Sequence, residues 1–358
     1  MKILALNLPA FHQIPENDEW WGEGFTEWDN VKGGKPLYKN HYQPIKPLNN
    51  NYYDLSHKED IINQITLAKK YDVHGFVYYH YWFGNGRVLF DKPIKILRDE
   101  IDVDFNYCLC WANDTWITTW HGLEPKTLIE QLYPGKDDWA MHYDYLSKYF
   151  YDKRYIKVDN KPMLFIYQAH KIPNYDSFID YFNERCREDG FDGIYVVEYI
   201  SSKCRELCSG KTSAVFEFEP HYTTFFDISK FELGRRFICK KLKMLDFQSY
   251  DKLWKYIITR NRTYSGKPII RGCFVGWDNS ARKGKDSMIV RGKSPEKFKK
   301  YLKALITNKR EDASEEYCVI NAWNEWSEGA YLEPDDRDGF KYLEAIKDLN
   351  KIESKEMT

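Results

Sequence analysis

Residues 57–82 read HKEDIINQITLAKKYDVHGFVYYHYW, and they hold one complete helix-to-strand unit. Ile61, Ile62, Ile65, Leu67 and Ala68 recur at helical spacing over 57–71, with Ser56 placed as the N-cap. A glycine then opens a run of Val, Tyr, Phe and Trp over 74–82, which reads as a strand. The same alternation extends in both directions. Further strands are expected at 2–8, 104–112, 162–168, 193–200, 213–218, 268–276 and 316–323. Helices are expected at 138–151, 175–189, 249–261, 295–309 and 338–351, with Ser294 capping the fourth of these ahead of Pro295. Strands alternating with helices give a parallel sheet. Eight such strands in one chain give an α/β fold, a (β/α)₈ TIM barrel over residues 1–358 as a single domain. The surplus length falls in long loops at 9–55, 113–136 and 219–248, the last an insertion after strand six.

Composition narrows the function. The 358 residues carry a net charge of -1, without the basic excess typical of a nucleic-acid partner. No stretch approaches the roughly 18 apolar residues of a membrane span. The opening MKILALNLPAFHQIP is broken by Asn7 and Pro9 and lacks a small-residue cleavage site, so it reads as a strand rather than a signal peptide. The eight cysteines show no C-x-x-C pairing, which points to reduced thiols and a cytoplasmic protein. Aromatic residues make up 17% of the chain, and large rings suit either a core or a surface that stacks on flat ligands.

A barrel builds its site from the loops after its strands. There the sequence gathers Trp28, Tyr79, Trp111, Asn113, Asp114, Trp116 and Trp120. It adds Glu217, Glu219, His221, Tyr222, Trp277, Asp278 and Trp326. Rings stack on sugar C–H faces, while amides and carboxylates pair with hydroxyls. The combination reads as the binding site of an oligo- or polysaccharide. Each residue alone has a packing role as its simpler reading.

Cleaving a glycosidic bond needs two carboxyl groups. Glu325 and Glu328 lie just past strand eight at a spacing of three, on one side of any helical turn. Two close carboxylates cannot both ionise freely, so one should keep its proton to higher pH. The alternative is a helix N-terminus with acidic residues placed for the dipole. Glu217 and Glu219 share a strand face and either enter the barrel mouth or pair with Arg271 or Lys267. His12, His80, His121 and His221, with Asp114 or Asp278, lack metal-ligand spacing, so no metal and no cofactor is expected. The segment 225–247 mixes Phe, Ile and Leu with Arg235, Arg236, Lys240, Lys241 and Lys243. It is either an interfacial helix in peripheral membrane contact or an amphipathic helix packed on the barrel.

Several motifs match one family together. They are W-W-G-E-G-F-T-E-W (20–28), H-Y-Q-P (41–44), G-F-V-Y-Y-H-Y-W (75–82), L-C-W-A-N-D-T-W (109–116), E-F-E-P-H-Y (217–222), G-W-D-N-S-A-R (276–282), S-P-E-K-F (294–298) and W-N-E-W-S-E-G-A-Y-L-E-P-D (323–335). The set resembles the WbsX family, whose members occur in bacterial O-antigen and capsule gene clusters and are often labelled glycosyltransferases. Through N-E-W-S-E-G at 324–329 it is similar in turn to glycoside hydrolase family 99, the endo-α-mannosidases. That resemblance implies a barrel and a retaining hydrolysis of α-mannoside-like or α-rhamnoside-like linkages. It implies Glu325 as the base that turns the substrate 2-OH on the anomeric carbon, forming a 1,2-anhydro sugar. It implies Glu328 as the acid, then base, at the leaving oxygen. A glycosyltransferase or transglycosidase is the alternative, and a non-catalytic carbohydrate-binding protein the second. The D-V-D at 102–104 precedes strand three and so lies at the wrong end to hold a nucleotide metal.

Overall fold

The computed structural model describes residues 1–118, 126–308, 310 and 313–356. Eight strands form the barrel. They are β1 (Lys2–Asn7), β2 (Gly75–Trp82), β3 (Asn106–Trp111), β4 (Lys161–Ile166), β5 (Tyr195–Ile200), β6 (Ala214–Glu217), β7 (Ile269–Cys273) and β8 (Ala313–Ile320). Each pairs in parallel with its neighbours, and β1 closes the ring. It pairs with β8 at Lys2↔Tyr317 and with β2 at Leu4↔Gly75. Gly75 is required on the other side of β2, against β3, because a Cβ there would lie 2.5 Å from the Asn106 carbonyl oxygen. Every expected strand is present, with ends shifted by up to three residues.

The helices are α1 (Pro15–Trp21), α2 (Glu27–Gly33), α3 (Lys58–Lys70), α4 (Lys92–Asp99), α5 (Lys136–Phe150), α6 (Tyr175–Glu188), α7 (His221–Phe226), α8 (Lys230–Lys241), α9 (Tyr250–Thr259), α10 (Ser280–Lys283), α11 (Pro295–Thr307) and α12 (Lys341–Glu356). The β5–β6 crossover is a loop. Ser294 caps α11, accepting from the Lys297 N–H at 3.3 Å. Ser56 does not cap α3. The helix starts one residue later, and His57 holds the N-cap position without a side-chain bond. The helix α4 is not among the expected ones. It is short and begins at Lys92–Pro93, yet it buries Ile94, Ile96 and Leu97.

Inside the barrel Phe165, Tyr199 and Phe216 meet ring to ring across three strands. Those contacts set the facing of β6: Phe216 points inward, so Glu217 points out toward the helices. The aromatic surplus is largely core. Among the described residues eight of eleven tryptophans are buried: Trp28, Trp82, Trp111, Trp139, Trp254, Trp277, Trp323 and Trp326. Trp120 and His121 lie outside the described residues. The D-V-D segment precedes β3, at the barrel's far end from the loops described next. All eight cysteines are free thiols. Among the described residues, no helix is long and apolar enough to cross a membrane.

Candidate active site

The loop after β8 is a tight hairpin. Asn324–Glu325 pairs antiparallel with Ala330–Tyr331, and a 3₁₀ turn at Trp326–Glu328 joins them. Gly329 closes it with φ 59°, packed so closely on Asp278 that a Cβ would lie 2.9 Å from the Asp278 Cβ. Asn324 clamps this hairpin to the end of β1. Its side chain accepts from the Leu8 N–H at 2.7 Å and donates to the Leu8 carbonyl at 3.0 Å. Beneath it, Glu333 accepts from the indole N–H groups of Trp323 at 2.9 Å and Trp326 at 2.7 Å. It also accepts from Tyr53 at 2.8 Å and Gln64 at 2.9 Å. Four donors on one buried carboxyl make a rigid floor. Burial nevertheless pushes Glu333 up to about 7.

That floor presents Glu325 and Glu328 to a third acid and one base. A capping box at Thr26 and Asp29 starts α2 and sets Glu27 at its first position. Arg282, on α10, donates to Glu27 at 2.5 and 3.0 Å and to Glu328 at 2.9 Å. It lies 3.8 Å from Glu325. Ser327 also donates to Glu27. One guanidinium cannot neutralise three carboxylates, so one of them must hold a proton. Glu325 is that one. Burial first, and the charge of Glu328 second, raise it to about 8, while Arg282 pulls it down.

Aromatic hydroxyls line the approach. Burial raises Tyr79 and Tyr81 far above the ordinary phenol value, and the nearby Glu325 charge adds to it. Tyr167 sits within range of Glu328 and Asp114. Trp116, half-buried, stands edge-on to Tyr81 at 5.1 Å and to Trp20 at 6.0 Å. Arg282, Glu27, Tyr167 and Trp20 were not singled out from sequence. Arg282 and Glu27 lie within quoted motifs, and their pairing could be found only from the fold.

The structure brings Tyr79 to the expected pair and moves several other candidates away from it. Trp326 stacks on Tyr331 at 4.1 Å with its N–H spent on Glu333. Trp28 gives its N–H to the Tyr53 carbonyl at 2.8 Å, and Trp111 to the Trp82 carbonyl at 2.9 Å. All three rings are core. Asn113 is a buried clamp, bonded to the Gln168 backbone at 2.8 and 3.0 Å. Asp114 is half-exposed, 3.8 Å from Lys203. Glu217 and Glu219 do not enter the mouth. They pair with Arg260 at 2.8 and 2.5 Å, not with Arg271 or Lys267. Arg271 instead donates to the Leu305 and Asn308 carbonyls at 2.7 and 2.9 Å. Tyr222 covers the same Arg260 at 4.1 Å, outside the barrel.

His221 packs on Trp277 at 4.4 Å, and burial lowers it to about 3, so it is neutral. Asp278 is a latch. Its side chain meets His41 at 2.7 Å and its N–H donates to the Glu328 carbonyl at 2.6 Å. Burial alone would raise its carboxyl, but bonds from His41 and Ser280 hold it below the ordinary value. His12 bonds the Pro9 carbonyl, and His80 bonds His142. Among the described residues no cluster of His, Cys, Asp and Glu is arranged to hold a metal ion.

Comparison with known proteins agrees with this architecture. Residues 3–346 match the family model described as "Glycosyltransferase WbsX". Curated relatives called "Uncharacterized protein WxcX", from two strains of Xanthomonas campestris pv. campestris, are 32% identical over 352 residues. The match takes in 96% of this chain and 49% of theirs, so the chain spans about half the length of the curated relatives it matches. The GH99 endo-α-mannosidase from Bacteroides thetaiotaomicron superposes with TM-score 0.56 and 13% identity, over 99% of this chain and 97% of that one. Its complex with bis-tris propane gives TM-score 0.58 at 13% identity, over 100% and 99% of the two chains. A "Glycoside hydrolase-like protein" gives TM-score 0.56 at 14% identity, over 91% and 99%. At these identities the likeness is one of fold.

Proposed function

The chain belongs to the WbsX family, and on that premise we propose that it is a retaining glycoside hydrolase whose residues 1–358 act as one catalytic barrel. Its substrate is an α-mannoside-like or α-rhamnoside-like linkage in a bacterial O-antigen or capsular polysaccharide, met in the cytoplasm. The observation that carries the reading is the unequal pair. Glu325 is buried and holds its proton to about 8, beside a Glu328 engaged by Arg282 at 2.9 Å.

The proposed route needs no protein nucleophile. Glu325 takes the proton of the substrate 2-OH, and that oxygen attacks the anomeric carbon. The glycosidic C–O bond breaks, and its oxygen leaves with the proton of Glu328. Water, deprotonated by Glu328, then opens the 1,2-anhydro ring at the same carbon, and Glu325 returns its proton to the 2-oxygen. A carboxylate raised toward the working pH is a stronger base than an ordinary one. In the resting site the pair's proton is on Glu325, so the route begins with its passage to Glu328. Arg282 is anchored on Glu27 at 2.5 Å and stays in place when Glu328 becomes neutral. Tyr79 and Tyr167 offer hydroxyls to the sugar. The family description names a glycosyltransferase, and transglycosylation at the same site, in which a sugar hydroxyl replaces the water, would reconcile that description with the hydrolase reading.

The test is a product screen on α-mannan and α-rhamnan oligosaccharides, with and without nucleotide sugars. New reducing ends of retained configuration, and no cleavage of 2-deoxy substrates, support the reading. Growth of the glycan only when a nucleotide sugar is supplied overturns it.

The insertion after β6 supports a further element of the reading, peripheral contact with an anionic membrane. In α8 only Cys239 is buried. Phe231 (83% exposed), Phe237 (69%) and Leu242 (61%) face outward, joined by Ile238 and Met244. Arg235 and Arg236 pin the helix to Asp246 at 3.2 and 2.7 Å. Lys230, Lys240, Lys241 and Lys243 stay exposed among the apolar side chains, placed to reach lipid phosphates while the rings enter the acyl boundary.

A further inference from the structure

Behind the catalytic hairpin lies a cavity of about 270 Å³, with Trp277, Asp278 and Gly329 in its wall. Four cations line it, Lys39, Arg291, Lys293 and Arg337, against one carboxylate, Asp278. That carboxylate is already occupied by His41 at 2.7 Å, Gln43 at 3.3 Å and the Ser280 N–H at 3.1 Å. His41 accepts the Leu37 N–H on its other nitrogen at 3.0 Å, so its proton is committed to Asp278.

The cations are positioned by rings rather than by acids. Arg291 lies 5.0 Å from the Tyr38 ring and 4.7 Å from Phe247. Lys293 sits 5.1 Å from Tyr331 and 5.5 Å from Tyr342, in space left by Gly276, where a Cβ would meet its Nζ at 3.0 Å. Arg337 lies 5.4 Å from Tyr42. Among the described residues none of the three has a carboxylate within 4 Å. Of the acids near Lys293, Asp335 is engaged: it accepts from Tyr331 at 2.6 Å and from the Asp338 N–H at 2.6 Å, while Asp338 and Asp278 act on Lys293 only from beyond 4 Å. A π-face orients a cation without cancelling its charge. The indole N–H of Trp277, buried in the same wall, also has no acceptor among the described residues.

We infer that this cavity binds an anionic substituent of the glycan, a sugar carboxylate or a phosphate, held by Arg291, Lys293 and Arg337. Planar guanidinium groups match either oxyanion by paired N–H donors. The placement beside the hairpin gives the cavity a purpose in substrate selection, and in that respect the inference rests on the hydrolase reading. The Asp278 N–H bond to the Glu328 carbonyl at 2.6 Å joins the two walls directly. An acidic glycan seated here is held against the loop that carries the reacting carboxyl groups.

Calorimetric titration at low ionic strength with sodium glucuronate, inorganic phosphate and neutral glucose tests the inference without turnover. At least one anion is expected to bind about tenfold or more tightly than glucose, with affinity falling as salt rises. Glucuronate alone identifies a uronate substituent, and phosphate alone a phosphorylated glycan or its phosphate linker. The Arg291→Gln/Lys293→Met double variant is expected to lose the preference, and Arg291→Lys/Lys293→Arg to keep most of it. Thermal unfolding of both variants reports that they fold. Glu325→Gln is expected to bind as the unaltered protein does, so a failed hydrolase reading leaves the result legible. Equal affinity for glucose and both anions, or a preference that survives the double variant, overturns the inference.

Discussion

Arg282 donates to the Glu328 carboxylate at 2.9 Å, and the charge of the whole site turns on that bond. The same guanidinium holds Glu27 and pulls the Glu325 carboxyl down against burial. Replacing Arg282 by Met is therefore expected to raise Glu325 further. The descending limb of the pH–rate profile, where the pair loses its one proton, should move to higher pH, and kcat/KM should fall about 10²–10³-fold, as when a preorganised charge partner is lost. An unmoved limb would separate Arg282 from the titration of Glu325.

Glu325→Gln and Glu328→Gln keep the shape of each side chain and remove its proton chemistry. Each is expected to lower kcat by about 10²–10⁴-fold, the usual cost of losing a general acid or base. Circular dichroism should be unchanged. Full activity in either variant would remove that residue from the mechanism.

Stability should also depend on pH through Glu325. Its folded value of about 8 lies above the ordinary 4.5, so the folded state holds this proton more tightly than the unfolded chain does. The stabilising contribution is full below about pH 4.5 and is lost as the pH rises toward 8. Glu333, raised to about 7, and Glu219, raised to about 6, slope the same way over narrower windows. The melting temperature is expected to fall from pH 5 to pH 8, and to fall less steeply in Glu325→Gln. Parallel curves for the two proteins would contradict the burial of a neutral Glu325.

Arg260 tests the reassignment of the outward-facing acids. Arg260→Met leaves Glu219 buried without its cation and Glu217 with Arg310 alone, at 3.6 Å, which is expected to cost about 3–5 kcal/mol in urea unfolding. Because the trio sits outside the barrel mouth, substrate KM should be close to unchanged in whatever fraction folds. A large KM change without loss of stability would return these acids to the sugar site.

The α8 surface makes a separate claim. Flotation with vesicles containing phosphatidylglycerol is expected to carry the protein upward, and neutral phosphatidylcholine vesicles much less. Phe231→Ser/Phe237→Ser should stay at the bottom while keeping hydrolytic activity on soluble oligosaccharides. Protein that remains in solution with both vesicle types would leave the helix face to another occupant, such as a second copy of this chain.

The barrel was legible because strand-forming runs such as 74–82 and helical periodicity such as 57–71 repeat around the ring. Helix α4 escaped because its eight residues are too few to separate a helix from a short strand or loop by pattern, although its buried side chains do fall on one face. At the site, Glu325 and Glu328 could be read from their loop and spacing. The roles of Trp28, Trp111 and Trp326 could not. Sequence places a tryptophan at a strand end but does not say which way its indole N–H points, and here each is captured by a nearby carbonyl or carboxylate. Glu217 and Glu219 were placed on one face correctly, but which face is set by Phe216, whose partners lie on other strands.

The clamp between Asn324 and Leu8 spans 316 positions of sequence, and the Ser327 bond to Glu27 spans 300. During synthesis the first of each pair leaves the ribosome long before the second has been translated. The nascent chain thus carries Glu27 and the first strand with nothing to complete them. The floor of the candidate site is complete only after the last strand has emerged and sealed the ring, so a chain truncated before Asn324 lacks both joins.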